Sequence, residues 1–368
     1  MLKRLLSAAA AVALTAAAFA VPARAADISA SSAIVVEAES GTVLFEKDAD
    51  ARMRIASTTK IMTALVALEH CSLDERVQIP AVCETVEGSS MYLKAGEIYT
   101  MRELLYGLML ESGNDAAVAV ALHVSGSTEA FAELMNRRAA SLGCTGTHFE
   151  NPNGLDAPEH YSTARDMARI AAEAMKNQLF EEIVSTKTIS FGEKTYVNHN
   201  RLLWTCPGAI GLKTGYTMAS GRTLVSCAER DGMRLICVTL RDPDDWDDHR
   251  ALYDEAFSEW KMAASPGAGV TAAELPVVSG TAKTVAVAPA SSARLLVRRG
   301  ADVRTELRLP DFVYAEVTKG EKAGSLSVLA DGKEIFSADL VYVSTVKQNR
   351  SDRLTLRERL RRALGAAG

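Results

Sequence analysis

The chain has 368 residues, 41 Lys and Arg against 46 Asp and Glu, and is 48% apolar with 10 prolines, which excludes a disordered, collagen-like or polytopic membrane protein. Single hydrophobic cores stop growing near about 250 to 300 residues, so two compact units are expected. A net charge of −5 offers no broad basic field to a phosphate backbone and argues against nucleic acid as a partner.

In chain order, Lys3 and Arg4 precede an Ala-rich apolar run from Leu5 to Val21, and Ala23-Arg24-Ala25 has the small-x-small form of a signal-peptidase site. Residues 1–25 read as an export signal, with an uncleaved anchor as the alternative. Export excludes most cytosolic chemistry that depends on ATP or NAD. Ala33–Glu37 and Thr42–Lys47 read as a hairpin turning at Gly41. From Ser57 to His70, Ile61, Met62, Leu65, Val66 and Leu68 recur at helical spacing, which puts Ser57 at a helix entrance. Met101–Leu110 and Asp115–Val124 read as two apolar helices broken by Glu111-Ser112-Gly113-Asn114. Short polar residues held between buried helices mark either a site or an N-cap.

A helix is expected around Phe131–Leu142, then a Gly- and Asn-rich loop from Gly143 to His160. Thr163 and Asp166 have capping-box spacing at the head of a helix running to about Lys176. Thr188–Phe191, Thr195–Asn198, Thr223–Ala228 and Arg234–Leu240 read as antiparallel strands, and a helix of about ten residues from Ala251 closes the unit. Strands at both ends with helices between them imply an α+β domain over 26–263, its sheet joining the first and last parts of the segment. Residues 264–270 read as a linker and 271–346, cut by Gly, Pro and Asp-Gly turns, as a small all-β sandwich.

Six cysteines in an exported chain raise the question of disulfides. Cys227 and Cys237 flank an Asp231-Gly232 turn, and in a two-residue hairpin residue 227 faces 236. That register places Cys237 on the other side of the sheet, so the pair is not expected to bond. The sequence lacks the Cys-x-x-Cys, His-x-His and His-Glu-x-x-His patterns, so no metal or cofactor is expected in the reaction.

Ser57-Thr58-Thr59-Lys60 is a Ser-x-x-Lys motif, in which one turn brings the amine back over the hydroxyl. Such a match arises about once by chance in a chain of this length, and Ser258/Lys261 and Ser344/Lys347 repeat it. The company of Ser57 sets it apart: Ser112-x-Asn114, then Lys213-Thr214-Gly215. A serine must lose its proton to become a nucleophile, and Lys60 takes it if burial and a neighbouring cation keep the amine neutral. Lys213 supplies that charge and, with the hydroxyls of Thr214 and Thr217, suits a substrate carboxylate. Ser112 is placed to bridge the lysines and pass a proton to the leaving group, and Asn114 to orient Lys60 and hold a substrate amide. Gly215 leaves room for substrate along the strand, and the amides of Ser57 and Tyr216 are the expected oxyanion donors.

These three ordered motifs resemble the signature of β-lactamases and penicillin-binding proteins. With Gly113 in the middle motif, the chain resembles the low-molecular-mass penicillin-binding proteins, which are serine-type D-alanyl-D-alanine carboxypeptidases. The stretches Ala56–Thr63, Leu104–Ala117, Phe149–Met167 and Gly211–Thr217 carry the likeness, as does a linker followed by a β module. The resemblance implies a penicillin-binding protein/β-lactamase-like transpeptidase domain. It also implies removal of the terminal D-Ala from peptidoglycan stem pentapeptides ending in D-Ala-D-Ala, through an acyl-enzyme on Ser57 that β-lactam antibiotics also form. Lys60, Ser112, Asn114 and Lys213 would inherit the family's roles position by position. His160 is weighed as a loop residue near the site, and Arg241 and Arg250 as partners for the terminal carboxylate. A serine β-lactamase and a catalytically silent wall-binding scaffold are the alternatives. Residues 347–368 form a tail in which six Arg outnumber Asp352 and Glu358 from 350 onward. With Leu356, Leu360 and Leu364 on one stripe, it resembles the family's amphipathic foot on an anionic membrane surface.

Overall fold

The computed structural model describes residues 27–349, so the export signal and the basic tail from 350 onward lie outside the described residues. Two compact units divide between Glu259 and Trp260. Among the described residues no helix is long and apolar enough to cross a membrane.

In the first unit β1 (Ser32–Glu37) and β2 (Val43–Lys47) form the expected hairpin. Gly41 turns it at φ +69°, a conformation glycine adopts without a Cβ clash. One 3-10 turn over Ala56–Thr59 leads into α1 (Lys60–His70). β3 (Arg76–Gln78) pairs with β4 (Ile98–Thr100). α2 (Met101–Leu110) then opens on a full capping box between Thr100 and Glu103.

α3 (Asn114–Ser125) follows after three residues, and α4 (Thr128–Ser141), α5 (Ala164–Ala174) and α6 (Gln178–Ser185) take side-chain caps from Ser127, Thr163 and Asn177. The box expected at Thr163 is half made. Thr163 accepts the Asp166 amide, but the Asp166 carboxylate accepts from the Gly146 amide and the Thr147 hydroxyl instead.

β5 (Thr188–Phe191) and β6 (Lys194–Val197) form a second hairpin, followed by the short α7 (Leu202–Thr205). β7 (Ala209–Thr217), β8 (Gly221–Arg230) and β9 (Met233–Leu240) meander, and α8 (Asp245–Glu259) starts a turn and a half before the apolar residues that announced it. The five-stranded sheet runs β2-β1-β9-β8-β7, antiparallel throughout. Ser32 pairs with Leu240, so the sheet joins both ends of the unit as expected, and β7 is left as a free edge.

The core gathers Ile61, Met62 and Leu65 of α1, Leu104 and Leu108 of α2, Val120 of α3 and Phe131 of α4, all at most 3% exposed. Each such side chain contributes about 1.5 to 3 kcal/mol of hydrophobic stabilisation. α8 is fastened to the sheet by buried His249, whose Nδ1 and Nε2 lie 2.7 and 3.0 Å from Ser226 Oγ and Thr239 Oγ1. In the β8–β9 hairpin Cys227 faces Ile236 and Cys237 faces Ser226, with Asp231 and Gly232 both at positive φ. That is the register read from the turn, and all six thiols are free.

The second unit is all β: β10 (Trp260–Ala264), β11 (Ala273–Val278), β12 (Thr284–Pro289), β13 (Arg294–Arg298), β14 (Val303–Arg308), β15 (Val313–Tyr314), β16 (Lys322–Ala330) and β17 (Lys333–Tyr342). A six-stranded sheet, β14-β16-β17-β12-β11-β15, is accompanied by the pair β10-β13. Leu295 of β13 packs on Leu326, Val328 and Leu340 of β16 and β17, which makes two layers. Ala263 and Ala264, at the expected linker boundary, instead pair with Leu295 and Arg294. The reason is that Trp260 and Met262 carry strand character that the following Ser, Pro and Gly residues obscure in the sequence.

Candidate active site

All three sequence motifs converge at the edge of the five-stranded sheet. The Ala56–Thr59 turn lies against β7, and a Cβ added to Gly215 would stand 3.0 Å from the Ser57 amide and 2.5 Å from Thr223 Oγ1. Gly215 is therefore needed to let the strand close on the nucleophile turn.

Backbone strain marks the same places. Ala56, just before Ser57, sits at φ +45°; Ser112 at +61°; and Leu212, just before Lys213, at +86°. Each costs an L-residue roughly 1 to 2 kcal/mol, and such strain persists where the surrounding structure over-determines the backbone.

Lys60 is wholly buried. Its Nζ lies 2.9 Å from Ser57 Oγ, 2.6 Å from Asn114 Oδ1 and 2.6 Å from the Asn153 carbonyl. Burial, and then the charge of Lys213, hold this amine well below the ordinary lysine range, with Asp115 opposing them. A neutral amine has two N–H donors and one lone pair. Two of its three neighbours are carbonyl oxygens that can only accept, which leaves the lone pair for the one that can donate, the Ser57 hydroxyl.

Asn114 does not cap α3: its Nδ2 donates to the Glu87 carbonyl at 2.6 Å and its Oδ1 receives Lys60. Nor does the Ser112 side chain cap it, since the N-cap is Gly113 without a side-chain bond. Ser112 is buried, and the direct bonds of the lysines run to other partners, so its place rests on position alone.

Lys213 is 1% exposed; its Nζ donates to the Thr214 carbonyl at 2.9 Å, and burial pulls it down to about 7. Its proton is therefore held far less tightly than that of an ordinary lysine until an anion faces it. Thr214 is half-buried, Tyr216 exposed, and the Thr217 hydroxyl is shared with Ser220 in the β7–β8 turn.

His160 is buried with Nε2 2.8 Å from Thr59 Oγ1, while its Nδ1 accepts the Glu150 amide. That acceptor role puts the ring proton on Nε2, and burial holds the ring neutral down to about 4. It ties the Glu150–Gly154 loop to the turn before Lys60. Arg241 donates to the Ala219 carbonyl in the β7–β8 turn, whereas Arg250 is ion-paired with Asp247 on α8.

Two participants escaped the sequence reading. Asn153 acts through its carbonyl, for which no side-chain signature exists. Its neighbour Gly154 signals it only through φ +85° and an added Cβ 1.9 Å from the Ala56 carbonyl. Asp115 is 1% exposed, and accepts from the amides of Met91 and Leu93 and the hydroxyl of Ser90, shaping the loop beside the cleft. An acid inside an otherwise apolar helix was the signal available.

Residues 18–244 match the family model for D-alanyl-D-alanine carboxypeptidase, and residues 264–348 match that of the penicillin-binding protein 5 C-terminal domain. The chain is 32% identical over 335 residues to the D-alanyl-D-alanine carboxypeptidase DacF of Bacillus subtilis, covering 87% of this chain and 86% of that one. It is 39% identical to DacB2 of Mycobacterium tuberculosis over 64% of this chain and 84% of the other. The crystal structure of penicillin binding protein 5 from Haemophilus influenzae superposes with a TM-score of 0.72 at 30% identity, over 88% of this chain and 99% of that one.

Proposed function

The chain belongs to the D-alanyl-D-alanine carboxypeptidase family of serine peptidases, and on that premise we propose that Ser57 is its nucleophile and Lys60 its general base. The observation that carries the assignment is the buried Lys60 amine, hydrogen-bonded to two carbonyl acceptors and to the Ser57 hydroxyl. The enzyme is a serine-type carboxypeptidase of the penicillin-binding protein class, acting on peptidoglycan peptides that end in D-Ala-D-Ala.

In the proposed reaction the substrate lies extended along the free edge of β7, where an open strand offers backbone partners. Lys213, charged once a carboxylate faces it, holds the terminal carboxylate with Thr214 and Thr217, and Arg241 adds its charge. Lys60 takes the Ser57 proton as Oγ attacks the penultimate carbonyl, whose oxygen turns to the amides of Ser57 and Tyr216. Collapse breaks the C–N bond, and the departing D-Ala amine receives a proton through Ser112. Water, deprotonated by the same Lys60, then releases the acyl group. A β-lactam enters by the same attack, with its ring amide in place of the scissile bond.

Export through residues 1–25 and a peripheral basic foot over 347–368 complete the proposal. Together they place the catalytic unit outside the cytoplasmic membrane, on an anionic surface. The decisive test incubates the purified chain with a labelled penicillin and with a D-Ala-D-Ala peptide. D-Ala should be released, and a lasting label should map to the Ser57 peptide by mass spectrometry. A label elsewhere, or full activity in Ser57→Ala, would overturn the assignment, and rapid turnover of the label would favour a β-lactamase.

A further inference from the structure

Away from the Ser57 site, Cys71 and Glu75 at the end of α1 and His123 at the end of α3 come together, with sulfur, carboxylate oxygen and imidazole nitrogen all within 4.8 Å of one another. We propose that this cluster binds a thiophilic divalent cation, Zn2+ foremost, which clamps the far ends of α1 and α3.

The donor set carries the choice of ion. A thiolate with an imidazole and a carboxylate suits Zn2+, whereas Mg2+ and Ca2+ want oxygen alone. Metal–ligand distances of about 2.0 to 2.3 Å in a tetrahedron put ligand atoms roughly 3.3 to 3.7 Å apart; His123 Nε2 already stands 3.2 Å from Glu75 Oε2, and the sulfur, within 4.8 Å of both, has a short way to close. Three protein ligands leave a fourth position for water.

The ligands are held before any ion arrives. Cys71 caps α1, its amide on the Ala67 carbonyl. Glu75 sits in a tight turn, its amide on the Ser72 carbonyl and its own carbonyl taken by the Met101 amide. Its second oxygen, Oε1, accepts the Ser72 amide at 2.6 Å, an outer bond of the kind that orients a ligating carboxylate. His123 lies in the last turn of α3. All three side chains remain partly open to solvent, which gives the ion a way in. Burial and the Glu75 carboxylate push the Cys71 thiol up to about 11, so binding must release its proton.

Lys60 opens α1 and Asn114 opens α3, while the cluster joins the opposite ends. Cys71 follows Lys60 by eleven residue steps, about 16 Å at 1.5 Å per residue. The ion would take no part in the reaction and would brace the two helices that carry the base and its orienting amide.

The test uses the full chain freed of metal with a chelator. Titration with Co2+ should give a thiolate-to-cobalt absorption band saturating at one equivalent, displaced by Zn2+, and lost in Cys71→Ser and in His123→Ala. Zn2+ should slow alkylation of Cys71 by iodoacetamide about tenfold or more, read by peptide mass spectrometry, and should raise the thermal midpoint of the unmutated protein. The protection assay needs no variant, so a poorly folding mutant cannot rescue the idea. Absence of the band, a band that survives Cys71→Ser in protein that still takes the penicillin label, or unchanged alkylation would each overturn the site.

Discussion

Replacing Lys213 by methionine should make the catalytic unit more stable and much less active. Lys213 is buried and sits at about 7 in the folded protein against an ordinary 10.5. Between those two values the unfolded chain holds a proton that the folded chain does not, so the stability of the parent protein rises with pH across the window. The gap of about 3.5 pH units, at 1.36 kcal/mol each, means that Lys213 weakens the fold by about 5 kcal/mol at pH 7 and below, a burden that vanishes near pH 10.5. Methionine fills a similar volume without the charge and forgoes one bond to the Thr214 carbonyl, worth about 0.5 to 1.5 kcal/mol. The variant should therefore gain about 3 to 4 kcal/mol near pH 7, with the advantage shrinking to nothing toward pH 10.5. Pulse proteolysis in urea, read on peptides of residues 27–259, measures this at each pH. In parallel, loss of a charged contact worth about 1.5 to 3 kcal/mol to the substrate carboxylate should lower kcat/KM roughly 10- to 150-fold. An advantage that is absent, or that grows with pH, would refute the account of Lys213 as a buried, largely uncompensated amine.

Lys60→Ala should cut the rate of acylation by both substrate and penicillin by roughly 10^2 to 10^4, measured by label incorporation, with a folded protein still seen by circular dichroism. Gly154→Ala forces an L-residue to φ +85° and drives its Cβ into the Ala56 carbonyl. It should move the Asn153 carbonyl off Lys60 and lower kcat more than it raises KM. Neutral buried His160 and His249, held down to about 4 and about 3, must take up protons on acid unfolding. Stability should thus fall steadily as pH drops from 6.5 toward 4, and His160→Gln should flatten part of that slope. The rate profile of the parent enzyme should show no limb from His160 near pH 6.5.

Much of the α+β frame is written in periodicity. The β1–β2 hairpin, α1, α2 and the β8–β9 turn could be read from apolar spacing and from Asp231-Gly232, because local rules of handedness and alternation act within a few residues. The order Ser57, Lys60, Ser112, Asn114, Lys213 could likewise be read as one site, since an activated serine without a metal needs those groups. What only the tertiary structure decided is which atoms meet and in what charge state. The carbonyl of Asn153 reaches Lys60 from 93 residues away, and a backbone oxygen leaves no trace in composition. The lowered proton affinities of Lys60 and Lys213 are properties of burial among other segments, not of the residues. The Cys71, Glu75 and His123 cluster is the same case: its members follow no metal-binding spacing, and only the packing of α1 beside α3 brings sulfur, oxygen and nitrogen within reach of one ion.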